Sequence, residues 1–92
     1  MPNSIVYRGP AGELRAGPET AATLGPWTLT QIPGGDGFRV SAALRERNEH
    51  WLAYRPLTLV LPFGRREWRF RDVDVIPGEP CEIRGTGSPE IR

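Results

Sequence analysis

The chain has no lysine, one cysteine, one histidine, and no apolar run near the ~20 residues that cross a membrane as a helix. Each shortage removes a class of protein. Cys81 has no second thiol to join, so no intramolecular disulfide forms and nothing points to an oxidising compartment. With His50 it makes one residue of each type, too few for a structural zinc site. The N-terminus lacks a charged-then-apolar leader, so synthesis is expected to be cytoplasmic, with later incorporation into a larger particle left open. Charge of one sign is lacking as well. Twelve basic side chains against 11 acidic ones leave a net charge of +1, which argues against non-specific nucleic-acid binding and against a basic membrane-surface helix. No membrane partner is expected.

All 12 basic side chains are arginine. That usage follows from GC-rich coding, and it also suits contact surfaces, because the guanidinium fork pairs bidentately and stacks on aromatic rings. In contrast to what is scarce, 11 glycines and 10 prolines are well above ordinary usage. The three tryptophans sit inside apolar-patterned stretches, so this excess signals many turns rather than disorder. At 92 residues there is room for one domain, which at this size buries roughly 60% or slightly more of its unfolded surface. So small a core gains from a partner or from self-association.

Residues 57–76 carry the clearest pattern. Leu57, Leu59 and Leu61 alternate with Thr58 and Val60; Pro62-Phe63-Gly64 breaks the run; and Arg66-Glu67-Trp68-Arg69-Phe70 resumes it. The period of two predicts a β-hairpin with the leucines facing Trp68 and Phe70. Val73 and Val75 have the opposite parity to Trp68 and Phe70, which predicts a β-bulge near Arg71-Asp72 that returns all four to the core face. A second hairpin is expected from Trp27–Gln31 and Phe38–Leu44 around the glycine-rich turn 33–37. That turn lacks the Lys-Ser/Thr ending of a phosphate-binding loop. Residues 41–54 have two readings: one short helix, or a strand that turns near Glu46–Glu49 and restarts at His50; the alternation before them favours strands. A short first strand is expected around Ile5–Tyr7 and a last one at Cys81–Arg84, after the turn Pro77–Pro80. Residues 9–26 are expected to form a loop or extended Pro/Gly-rich arm, and residues 85–92 a polar tail. The fold class is therefore mostly β, a single small barrel or sandwich of about six strands.

Chemistry-bearing constellations are sparse. Asp72 and Asp74 would share a face on a regular strand, but no third ligand has a recognisable spacing. Cys81 and His50 could form a nucleophilic pair only if the fold joined them, and no motif surrounds either. No catalytic, cofactor-binding or metal-ligating residue is assigned, and an enzyme is not expected. Two binding readings remain. In the first, Phe63 sits at a hairpin tip beside Arg65 and Arg66, an aromatic-plus-arginine composition typical of protein contact sites. In the second, Arg69 and Arg71 with Trp68 serve single-stranded nucleic acid, arginines following phosphates and the ring stacking on bases. Strict alternation opposes the second, because it sends Trp68 and the two arginines to opposite faces. The expected function is a non-enzymatic structural or interaction module that assembles with itself or with other protein chains. By analogy of style alone, it suits a small virion component of a tailed phage, such as a connector, tail, baseplate or capsid-decorating protein.

Overall fold

Gly17 and Gly64 each open a two-residue loop, and each has a φ of 63°. A tight hairpin of this kind needs a positive φ at its first loop residue so that the turn matches the twist of the strands, and glycine supplies it without steric cost. The computed structural model describes residues 6–31, 37–47, 53, 56–86 and 90–92. Nine strands run through them: β1 (Val6–Gly9), β2 (Gly12–Ala16), β3 (Glu19–Gln31), β4 (Gly37–Arg47), β5 (Thr58–Phe63), β6 (Arg66–Phe70), β7 (Asp74–Ile76), β8 (Cys81–Thr86) and β9 (Glu90–Ile91). All pair antiparallel in one sheet of order β7-β8-β4-β3-β2-β5-β6-β9, with β1 also paired to β3. No α-helix occurs among the described residues.

Both expected hairpins are present. Leu59 lies opposite Phe70 and Leu61 opposite Trp68, as the alternation requires. Leu29 lies opposite Val40 and Gln31 opposite Phe38. The segment 41–47 is strand, since β4 runs to Arg47; residues 48–52 and 54–55, where the restart at His50 was expected, lie outside the described residues, as do Ile5 and turn residues 32–36.

The arm expected at residues 9–26 is instead the middle of the sheet. β2 and the first half of β3 form a hairpin around Gly17-Pro18, and β2 bridges β3 to β5. β1 continues the line of β2 along β3, pairing Gly9 with Trp27 while β2 pairs Gly12 with Leu24. Pro10-Ala11 and Gly25-Pro26 thus face each other at one shared break. Prolines and glycines that read as an arm are here a turn and a kink. The polar tail expected at 85–92 is also corrected: Gly85 and Thr86 end β8, and Glu90–Ile91 pair with β6.

The parity change after Phe70 has a different cause from the bulge expected there. β6 and β7 are not neighbours. The chain leaves β6 after Phe70, turns through Asp72 at a φ of 54°, and joins the far side of the sheet, where β7 pairs with β8. Val73 lies on the way, buried, with its N–H donating to the Leu57 carbonyl at 3.1 Å.

These crossings require a curled sheet. Phe38 on β4 and Phe70 on β6 have β3, β2 and β5 between them in strand order, yet their ring centroids are 4.1 Å apart. Their contact closes the interior over Leu14, Leu24, Leu29, Val40, Leu59, Leu61, Cys81 and Ile83. The outer face carries ion pairs instead: Glu82 with Arg39 and Arg84, each at 3.0 Å, and Glu13 with Arg15 at 3.1 Å. The curl stops short of closure, so the sheet is open rather than a barrel, and it has nine strands rather than about six.

Candidate interaction edges

An open sheet has free edges, and the pairing pattern locates them. Among the described residues, β7 and β9 are the two ends of the sheet, and β1 is paired on one side only. Unpaired strand edges expose backbone N–H and C=O groups that can template another strand. Among the described residues, three large apolar side chains remain exposed: Val6 at 46%, Ile76 at 43% and Ile91 at 51%. They lie one each on β1, β7 and β9. Sequence reasoning missed all three residues. The outward parity of Val6 with Arg8 and of Ile76 with Asp74 was visible, but which strands lack a neighbour depends on distant pairing.

Phe63 is less free than a hairpin tip suggests. It is half-buried, with its ring 5.4 Å from Tyr7 edge-on, 5.0 Å from Trp68, and 6.3 Å from Trp27. Tyr7 also meets Trp68 edge-on at 4.8 Å. Pro62 explains why this cluster is not covered by continuing the ladder. The turn at Gly64-Arg65 makes Phe63 and Arg66 the closing pair of the hairpin, so the Pro62 nitrogen faces away from β6, toward the line of β1 and β2. Having no N–H to donate, it ends the β2–β5 pairing at Glu13 and Val60. Tyr7 and Phe63 border the recess left there, together with Val6 and Arg8. Arg65 and Arg66 are both exposed beside it.

Arg69, Arg71 and Trp68 do not converge. Trp68 turns inward to Tyr7 and Phe63, while Arg69 lies on the other face and pairs with Glu67 at 2.7 Å. Arg71 pairs with Glu90 at 3.1 Å. Asp72 and Asp74 are both exposed, and no three His, Cys, Asp or Glu side chains gather in metal-holding geometry among the described residues. Cys81, opposite Ala42 of β4, is fully buried, and burial pushes its thiol above the ordinary value of 9.0, partly offset by backbone hydrogen bonds at Cys81 and Ala42. A buried thiol with a raised pKa is a poor nucleophile. His50 lies outside the described residues. No described helix is long and apolar enough to cross a membrane.

Comparison with protein-family models, with curated proteins and with solved structures finds no match in any of the three. The functional reading therefore rests on the geometry of this chain.

Proposed function

We propose that this protein is a non-enzymatic structural module that assembles with copies of itself or with other protein chains through its sheet edges. One observation carries the reading: among the described residues, the exposed large apolar side chains Val6, Ile76 and Ile91 lie on β1, β7 and β9, each of which lacks a partner on one side. Scattered apolar residues on a surface need no explanation, but placement on strand edges couples apolar contact to backbone pairing, which is how strand addition gains affinity. The recess at Tyr7 and Phe63, with Arg65 and Arg66 beside it, is a further contact surface of the same module. A small virion component, such as a connector, tail, baseplate or decoration protein, is the setting this reading suits by analogy of style alone.

Solution mass by light scattering after size exclusion tests the reading, across protein concentration and at low and high salt. A mass that rises with concentration to a defined oligomer is the expected result. A monomer at every concentration removes self-assembly and leaves only partners of a different sequence.

A further inference from the structure

The edges at β1, β7 and β9 are not equally suited to a second copy, and the difference lies in what each would place opposite itself. Two-fold antiparallel pairing is the simplest way for a sheet edge to meet its own copy, and it preserves the inner and outer faces of the joined sheet. For β7 such pairing about Val75 sets Asp74 against Ile76. For β1, pairing about Tyr7 sets Arg8 against Val6. Both put a charge opposite an exposed apolar side chain. Centring on Ile76 or Val6 instead sets apolar against apolar but flanks it with Val75 and Pro77 or with Ile5 and Tyr7, with no opposite charges to pair. For β9, pairing about Ile91 sets Ile91 against Ile91, and Glu90 against Arg92 twice.

The backbone of β9 is poised for this register. Glu67 N–H donates to the Arg92 carbonyl and Arg92 N–H to the Glu67 carbonyl, each at 2.9 Å. In an antiparallel ladder alternate residues point their polar groups to opposite sides, so the N–H and C=O of Ile91, between the bonded Arg92 and Glu90 positions, face the open side. The side chain agrees. Ile91 lies opposite Trp68 and shares its face, yet it is the most exposed of the described large apolar residues. A second Ile91 beside it would extend the Trp68 stripe across the junction. Glu90 and Arg92 already lie within 3.7 Å of each other in one chain, so the pairs across the junction join an existing network with Arg71.

We infer that β9 is a self-recognition edge, where two copies pair antiparallel about Ile91 with Glu90 of each opposite Arg92 of the other. The inference rests on the self-assembly reading and specifies its interface. So short a ladder gives a weak, concentration-dependent dimer rather than a permanent one.

The test is light scattering over a concentration series on four samples: the unmodified chain, Glu90→Arg, Arg92→Glu, and an equimolar mixture of the two variants. Each variant alone sets like charges opposite each other across the junction and is expected to raise the association midpoint at least about tenfold. The mixture restores opposite charges, so its midpoint is expected to return. Ile91→Pro adds a separate readout: it removes an N–H that the chain itself does not use, so dimerisation is lost while circular dichroism stays unchanged. If the unmodified chain associates but the charge variants and Ile91→Pro associate equally well, the β9 interface is overturned while self-assembly stands, through β1 or β7. If the unmodified chain is monomeric throughout, both fall.

Discussion

The Trp27 indole lies over the backbone of Gly9 so closely that a β-carbon there would overlap the ring, and its Nε1–H donates to the Ala11 carbonyl at 2.7 Å. One side chain thereby seals the break between β1 and β2. The break itself is a place where Pro10 cannot donate and Pro62, on the neighbouring β5, cannot either. Gly9→Ala is therefore expected to destabilise the fold by about 1–3 kcal/mol through overpacking. Trp27→Phe keeps much of the apolar volume but loses the hydrogen bond to the exposed Ala11 carbonyl, at a cost on the order of 0.5–1.5 kcal/mol. Urea unfolding followed by circular dichroism measures both; a midpoint unchanged in Gly9→Ala would show that the ring does not press on this backbone.

Phe38 and Phe70 hold the curl, because they join strands far apart in the sheet order. Phe38→Ala is expected to cost about 3–5 kcal/mol, a large share of the total for a domain of this size. The more informative measurement is the double-mutant cycle with Phe70→Ala. A coupling of about 0.5–1.5 kcal/mol is expected if the rings touch in solution as they do here. Additive losses would mean that the two halves of the sheet do not close on each other. Gly85 guards the same contact: a β-carbon there would stand 2.6 Å from the Phe38 ring, so Gly85→Ala should displace it.

Local periodicity made part of this fold legible. The facing of Leu59 by Phe70 and of Leu29 by Val40 follows from alternation around a turn, which short stretches of sequence carry. What depended on distant partners was not legible. Pro62 read as a strand breaker, but its nitrogen faces away from β6, so β5 continues through Phe63 and the turn falls at Gly64-Arg65. Gly12 read as loop, yet its small size lets β2 approach β5, since a β-carbon there would meet Leu61 and the Val60 carbonyl. The parity change at Val73 was correctly noticed, but the turn at Asp72 that sends the chain to the opposite side of the sheet gives the same signature as a bulge. The candidate edges were hidden for the same reason. Outward parity marks Ile76 and Val6 as exposed, while their lack of a neighbour is a property of the whole sheet. Phe63, Arg65 and Arg66 were legible as a cluster, though not the Tyr7 and Trp68 rings that hold Phe63.

The two hairpin glycines offer a test free of packing effects. A β-carbon at Gly17 or Gly64 would meet nothing within 4 Å, so alanine there reports only the cost of a positive φ. Each substitution is expected to destabilise by about 1–3 kcal/mol. Gly25→Ala is the comparison: its β-carbon would lie 3.1 Å from Arg45 Nε, the end of an exposed side chain that can move, with no left-handed φ to strain. It is expected to stay within about 0.5 kcal/mol of the parent. Equal losses at Gly25 and Gly64 would argue that the Gly64 turn is not the tight form described.

Cys81 links burial to pH. Burial raises its pKa in the folded chain above the ordinary 9.0, so the folded state holds the thiol proton more tightly than the unfolded state does. Its contribution is therefore fully present below about pH 9 and declines as pH rises above that value toward the folded pKa. Urea midpoints measured from pH 7 to 10.5 should fall at the alkaline end, and Cys81→Ala, at a cost in core packing, should flatten the part of that fall due to the thiol. Reaction with a disulfide reagent gives the matching kinetic result. The native thiol should react only as fast as the sheet opens, and quickly once urea unfolds the chain. Rapid labelling of the native protein would place Cys81 at an accessible edge instead of buried opposite Ala42.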